Sequence, residues 1–438
     1  MRLSGWQRSA LGAMCLVNIG KLSPTFRDAS ALGRHFAEVW NKSGFIDDYQ
    51  RAALVAGLAC ASLADHYRSA GPITLNHFTD LPPLSKDIVI RNPAAFRTGI
   101  GPHEIVTTGG STGETLTLYM HRRRKGAEWY WMSRIWAEVG FDRRRSVRAV
   151  LRNHVLRGRM AVFPITKEIA FDNFNLDDAY IDEFSAFIEA NGIEYLHAYP
   201  SAAAAVGLRW ATKGNRPRSL KAVLCGSEFV YPAHRALIEG ELGLRLLSWY
   251  GHSEKLALAG EYSDCRNYHA NPFYGLTEFL DPDMNKAVEP GQVGEIVATG
   301  FINPSMALLR YRTGDMAEFL GETCPDCGRL GRAFRMKSGR AGEWIHRRDG
   351  SRVSTTALNL HDSQLANVSH LQLFQPVAGE VDVLVVPRAE VSAAMLREIE
   401  HAMRARLGAD MLVRVRPVDA PQLGRNGKAQ LLVRQFEA

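Results

Sequence analysis

The sequence predicts an α/β protein: a large N-terminal domain on a largely parallel sheet with a small β-rich subdomain, then a small α+β domain. Three observations carry this expectation. Strand-like apolar runs alternate with helix-like ones between residues 146 and 249. After residue 275 the strands shorten and are separated by Asp281-Pro282-Asp283 and Glu289-Pro290-Gly291. Beyond Gly339 a new succession of two strands, a helix and a further strand precedes a polar tail. Parallel strands need a crossover between them, and helices that cover the sheet supply it, which is why alternation points to this class.

The first hundred residues read as helices. Residues 52–63 are apolar nearly all round, and Pro72, Pro82, Pro83 and Pro93 punctuate the chain beyond them. The apolar run at residues 10–19 reads as a buried helix and not a signal peptide, because no cleavage site comes after it and it meets Lys21-Leu22-Ser23-Pro24. Over residues 126–140, Trp129, Met132, Ile135, Trp136 and Val139 recur at helical spacing and read as core. Strands are predicted at 146–151, 160–165, 193–198, 220–225 and 244–249, with helices at 178–190 and 233–242 between them. Residues 295–299 and 307–311 read as strands of the β-rich part. In the last part, 370–375, 380–386 and 411–415 read as strands and 391–407 as a helix. The resulting domain boundaries are 1–339, divided into a helical start (1–100), an α/β core (101–274) and a β-rich subdomain (275–339), and then 340–438. No internal repeat is present, so solenoid architectures are set aside.

The formal net charge of +7 is compatible with an anionic partner but reads as a solvated surface, and no nucleic acid is expected. The basic clusters at 121–125 and 143–148 read as solvated faces, with a surface for an anionic molecule as the alternative. No run reaches the roughly 18 apolar residues of a membrane span, so a cytoplasmic protein is expected. Six cysteines in a chain of 438 residues do not make a secreted disulfide scaffold.

Chemistry enters with Thr107-Thr108-Gly109-Gly110-Ser111-Thr112-Gly113-Glu114-Thr115. Its glycines let backbone N–H groups approach a polyphosphate, and its hydroxyls add uncharged donors. It is not a P-loop, because Gly-Lys-[Ser/Thr] is missing. Further along stand Leu224-Cys225-Gly226-Ser227-Glu228, Tyr250-Gly251-His252-Ser253-Glu254, Tyr311-Arg312-Thr313-Gly314-Asp315, Gly339-Arg340 and Asn426-Gly427-Lys428. In order and spacing these six stretches resemble the adenylate-forming acyl-CoA synthetase superfamily. Within it the sequence resembles the phenylacetate-CoA ligase-like branch, particularly the CapK-type proteins of bacterial polysaccharide loci. The resemblance covers about residue 100 to the end.

That resemblance implies ATP-dependent activation of a carboxylic acid as an acyl-AMP, with the acyl group then passed to CoA or to an amine or hydroxyl acceptor. Thr107, Gly109, Gly110, Ser111, Thr112 and Gly113 would hold the β and γ phosphates. Gly226, Ser227 and Glu228 would line the adenine opposite Tyr250, within the Tyr250, Gly251 and Ser253 segment. Glu254 would be the magnesium ligand, a hard oxygen donor for a hard cation. Asp315 would accept both ribose hydroxyls, Arg340 would sit at the ribose or phosphate edge, and Lys428, delivered by the small domain, which would be mobile, would contact the carboxylate and α-phosphate. The chain departs from the family in two places. Glu114 stands where many relatives carry Lys, and Gly342, followed by Glu343, stands where a hinge Asp or Lys is usual. Glu114 motivates the alternative reading, a degenerate fold that binds nucleotide or a partner without turnover.

Cys324-Pro325-Asp326-Cys327-Gly328 is knuckle-like, and the same branch often pairs such a stretch with an earlier Cys and His, here Cys265 and His269. Four such ligands suit a closed tetrahedral structural zinc, and separate buried cysteines are the alternative. His252 is a competing fourth ligand.

Overall fold

A computed structural model describes residues 45–68, 73–107, 116–152, 156, 158–173, 176–340, 344–349, 352–358, 368–387, 392–408, 410–423 and 429–436. The helix expected at 10–19, the phosphate-loop residues Gly109, Gly110, Ser111, Thr112, Gly113 and Glu114, the hinge residues Gly342 and Glu343, and Gly427-Lys428 lie outside the described residues. Two compact units emerge. One holds the described part of 45–140 with Trp249–Met336, and the other holds Phe141–Ser248 with the described part of 337–438.

In the first unit, helix α1 (Phe45–Ala61) turns Leu54, Leu58 and Ala61 inward, while Val55 stays 52% exposed. The stretch is apolar on both faces as expected, with one face buried and Ala52, Val55, Ala56 and Ala59 exposed among the described residues. Strands β1 (His103–Thr107) and β2 (Thr117–His121) form an antiparallel pair in which His103 faces His121 and Thr107 faces Thr117. The predicted aromatic helix is α2 (Arg124–Trp136), closed by a short turn that ends at Gly140 in the left-handed region (φ 84°). Met132 and Trp136 of the expected stripe are buried, and Trp129, Ile135 and Val139 are half-buried.

The second unit begins with the predicted alternation. Strands β3 (Arg148–Leu151), β4 (Met160–Phe163) and β5 (Glu168–Phe171) are followed by α3 (Asp178–Ala190), β6 (Tyr195–Ala198), α4 (Pro200–Lys213) and β7 (Ala222–Gly226). Their order is β7-β6-β3-β5-β4, parallel except for the antiparallel β4/β5 pair. β3, β6 and β7 are buried along their whole length, as strands covered on both faces must be. Asp177 caps α3 by accepting from Tyr180 N–H at 2.8 Å, and α4 opens on Pro200 and closes on Gly214 at φ 63°. The helix expected at 233–242 starts as a single turn, Pro232–Arg235, and continues over Ala236–Glu241 as a wider π-helix.

Strand β8 (Arg245–Gly251) carries the chain back into the first unit. There β9 (Leu258–Tyr262), β10 (Cys265–Ala270), β11 (Gly275–Leu280), β12 (Val293–Gly300), β13 (Tyr311–Thr323) and β14 (Leu330–Arg340) lie in the order β11-β12-β13-β14-β10-β9. The pairs β9/β10, β10/β14, β11/β12 and β12/β13 are antiparallel. Phe279, Phe319 and Phe334 pack together in its core. The strand expected at 307–311 is absent, and only Tyr311 belongs to one. Ala307 N–H donates to Phe96 O at 2.9 Å, Leu309 N–H to the Tyr67 hydroxyl at 3.0 Å and Arg310 N–H to Thr299 Oγ1 at 2.8 Å. These apolar residues are buried, but their backbone is satisfied by loops and side chains instead of a ladder.

In the second unit's C-terminal part, β15 (Trp344–His346) pairs with β16 (Arg352–Ser354). Beyond it come β17 (Val368–Gln375), β18 (Glu380–Pro387), α5 (Ala393–Leu407), β19 (Leu412–Pro417) and β20 (Leu432–Arg434). The sheet order is β19-β18-β17-β20, with one antiparallel pair, β17/β18. Ile399, Met403 and Leu407 of α5 bury against Leu373, Val381, Val383 and Val385, and Tyr231 enters the same core. The mixed-sheet α/β class with a smaller α+β part is thus observed. Among the described residues, no helix is long and apolar enough to cross a membrane.

Candidate nucleotide and metal sites

In the first unit, two of the predicted motifs are tied together in reversed order. The Tyr250 hydroxyl donates to Asp315 Oδ2 at 3.0 Å, and the Tyr311 hydroxyl donates to Glu254 Oε1 at 2.9 Å. The other Glu254 oxygen lies 3.0 Å from His252 Nδ1, and His252 Nε2 accepts from Ala257 N–H at 3.2 Å. His252 Nδ1 carries the proton that points at the carboxylate. Burial pushes the Glu254 carboxyl up, but the hydrogen bond and charge of His252, with the Tyr311 hydroxyl, outweigh it and hold the group at about 2. It is an anion at neutral pH with lone pairs left for a cation.

Two glycines place this segment. A Cβ on Gly275 would lie 1.9 Å from the Leu256 carbonyl oxygen, and one on Gly300 would lie 2.8 Å from Leu256 Cδ2. Only glycine lets the backbone after Glu254 approach β11 and β12 this closely. Ser253 is exposed, and so is Thr107 at the end of β1.

In the second unit a different set gathers at the C-terminal ends of parallel strands. Arg152, just after β3, donates to Ser227 Oγ at 2.8 Å, sits 3.0 Å from His197 Nε2 and lies over the Tyr199 ring. Gly226 is the buried last residue of β7, and Ser227 follows it at φ 73°. The carboxylate of Glu228 faces backbone: it accepts from Ser201 N–H at 3.0 Å and from Ala429 N–H at 2.9 Å. Arg340 is the last residue of β14, and its side chain lies outside the described residues.

Sequence reasoning missed Tyr311, Arg152, His197 and Tyr199. Tyr311 stood inside a motif in which only Asp315 was given a role. Arg152 and Tyr199 each follow an apolar strand run at the sheet edge where open α/β folds bind ligands, so a polar residue just after such a run was the available signal.

The four proposed zinc ligands converge in the first unit, with their ligand atoms all within 4.8 Å of one another. Cys265 and His269 lie on one face of β10, with Asn267 between them. Cys324 and Cys327 sit on a turn closed by Gly328 N–H to Cys324 O and Cys324 N–H to Arg329 O, both 2.9 Å, with Gly328 at φ 69°. Cys265 Sγ is 3.8 Å from Cys324 Sγ, and Cys327 Sγ is 3.7 Å from His269 Nε2. Sulfurs at about 2.3 Å from a tetrahedral zinc stand about 3.8 Å apart, so the spacing fits the ion and is far from a disulfide. Asn267 Nδ2 donates to Cys324 Sγ at 3.2 Å, an outer partner of the kind metal thiolates use. Burial pushes the Cys265 thiol up to about 12, and burial together with Arg329 lowers His269 to about 4, leaving a neutral imidazole. His252 belongs to the Glu254 network and not to this cluster.

No protein-family model matches the chain. Solved structures similar to it include 2-hydroxyisobutyryl-CoA ligase in the postadenylation state with 2-HIB-AMP, at TM-score 0.65 and 17% identity over 88% of this chain and 89% of that one. The same ligase with R3-HIB-AMP gives TM-score 0.64 at 16% identity, over 88% and 89%. The chain therefore has the fold of the adenylate-forming ligases. In sequence it is similar to phenylacetate-coenzyme A ligases: that of Thermus thermophilus is 29% identical over 220 residues, 47% of each chain. That of Aromatoleum evansii is 26% identical over 234 residues, 49% of this chain and 51% of the relative. That of Pseudomonas putida is 30% identical over 176 residues, 38% and 37%. The chain spans about half the length, or less, of these curated relatives.

Proposed function

We propose that the protein is an ATP-dependent, AMP-forming acid ligase that converts a carboxylic acid to an acyl-AMP with release of pyrophosphate, then passes the acyl group to the thiol of CoA. The observation that carries this reading is the paired contact of Tyr250 with Asp315 and Tyr311 with Glu254, which gathers an ionised, buried carboxylate and a second carboxylate in one place. In this reading Asp315 accepts the ribose hydroxyls, and Tyr250 with Gly226 and Ser227 borders the adenine. Thr107, Gly109, Gly110, Ser111, Thr112 and Gly113 hold the phosphates, and Arg340 and Lys428 act at the α-phosphate.

Glu254 would hold magnesium, which when bound neutralises phosphate charge. The attacking carboxylate is already ionised at neutral pH, so the residues need only align it and stabilise charge at the α-phosphate. Cys265, His269, Cys324 and Cys327 would hold a structural zinc, four protein ligands for a tetrahedral ion. CoA is favoured as acceptor because the relatives similar in sequence are named for it. An amine or hydroxyl acceptor, including a sugar in polysaccharide synthesis, is the competing outcome.

The test is pyrophosphate release from magnesium-ATP across aryl, fatty, hydroxy and amino acids, with and without CoA. Acid-dependent release, with a thioester formed when CoA is present, is expected. Nucleotide binding without release for any acid would establish the non-catalytic reading instead.

A further inference from the structure

The Glu228 carboxylate does something that an adenine-bordering residue need not do. Helix α4 begins with Pro200, which has no N–H, so Ser201 is its first backbone donor, and Glu228 Oε2 accepts from it at 3.0 Å. An anion at that end is also favoured by the helix dipole. The second oxygen, Oε1, accepts from Ala429 N–H at 2.9 Å, and Ala429 is the residue that follows Lys428.

The stem around Ala429 is itself fixed. Leu423 and Ala429 form an antiparallel bridge, and one step further out the buried Gln372 donates to Gln422 O and Gln430 O at 3.0 and 2.9 Å while accepting from Gln422 N–H at 3.1 Å. Three residues beyond Glu228, the buried Tyr231 donates its hydroxyl to Leu371 O at 3.3 Å and packs within the C-terminal core. Segment 228–231 therefore grips the C-terminal part twice, once through an apolar core that includes a ring and once through a carboxylate.

We propose that the Glu228 carboxylate is a positioning latch, tying the stem that carries Lys428 to the start of α4 and setting where that lysine is presented for adenylation. This rests on the ligase reading above. Tyr231 is a core residue whose loss would disturb folding, whereas Glu228 is part-exposed and holds two N–H groups through a group that water or ligand can replace. The carboxylate is thus the adjustable half of the grip.

Glu228→Ala and Glu228→Gln test it. A side-chain amide has one acceptor oxygen and presents N–H groups where the second acceptor stood, so Gln should not rescue a doubly accepting site. Both variants are expected to lose adenylation kcat by roughly ten- to a hundredfold, the range for removing a charged hydrogen bond, with KM for ATP within about twofold. Transfer from a pre-made acyl-AMP to CoA should persist, and hydrogen exchange at the Ala429 amide should accelerate. A raised KM for ATP with kcat intact, or full activity in Glu228→Gln, would overturn the latch in favour of a nucleotide contact. An equal loss in both half-reactions would overturn it in favour of a purely structural role. If the wild type releases no pyrophosphate with any acid, the ligase reading fails, and the proposal with it. Exchange at Ala429 then still reads the contact, and unchanged protection would show that the tie itself is absent.

Discussion

Tyr250 and Asp315, 65 positions apart in the chain, meet through a 3.0 Å hydrogen bond from hydroxyl to carboxylate. The bond holds Oδ2 and restricts the plane in which the carboxylate is presented. A carboxylate held this way suits a vicinal diol, whose two hydroxyls donate toward one acid.

Asp315→Ala is accordingly expected to weaken ATP binding by about tenfold or more, since hydrogen bonds to a charged group contribute roughly 1.5–3 kcal/mol each. Tyr250→Phe keeps the acid but frees its orientation, and should weaken binding less. Calorimetric titration with magnesium-ATP checks both. Unchanged affinity in Asp315→Ala would place the ribose elsewhere.

Glu254 yields a pH prediction. Its folded-state value of about 2 lies below its ordinary 4.5, so the anion is bound more tightly by the fold than by water. Such a group contributes stability that is fully present above pH 4.5 and is lost as pH falls toward 2. Glu254→Gln should therefore flatten the acid limb of stability between those values, and chemical denaturation of the two proteins across that window measures the difference. An identical acid limb in wild type and variant would mean that the network around His252 and Tyr311 does not hold the charge.

The zinc prediction is one ion per chain, measured by elemental analysis of protein purified without a metal-affinity tag. Cys324→Ser should lose the metal and melt several degrees lower, because a closed site contributes its binding energy to folding. Protein free of zinc, with an unchanged melting point in Cys324→Ser, would end this claim and leave the nucleotide reading untouched.

The sequence was legible where periodicity and chemistry coincide. The predicted helix at 178–190 and the strands near 195 and 222 appear at or within two residues of their places, because continuous apolar runs and an amphipathic helix leave few alternatives. Strand β5 went unread, since four residues after a left-handed Lys167 (φ 54°) are too few to show a period. The run 307–311 misled in the other direction: its apolar composition was right for burial, but composition does not reveal where backbone hydrogen bonds go. The Cys265, His269, Cys324 and Cys327 set was named from resemblance, and only folding β10 against the 324–329 turn brought it within ligand distance. The contacts of Arg152, and those of Glu228 with Ser201 and Ala429, join elements distant in sequence, which no local pattern encodes.

Lys428 separates the two half-reactions of the proposed ligase. Its amine is the mobile positive charge of this reading: it is needed where negative charge builds on the α-phosphate as the acid attacks, and it has no role once the acyl-AMP meets its acceptor. Lys428→Ala is expected to lose adenylation by roughly two or more orders of magnitude, as for removal of a charged transition-state donor, while binding ATP with near-native affinity. Supplied with pre-made acyl-AMP and CoA, the same variant should form thioester at the wild-type rate. Pre-steady-state measurement of each step distinguishes the outcomes. Adenylation at the native rate would remove Lys428 from the site. An equal loss in both steps would mean that one arrangement of the C-terminal part serves both reactions, and that rotation about the segment after Arg340 is not part of the cycle.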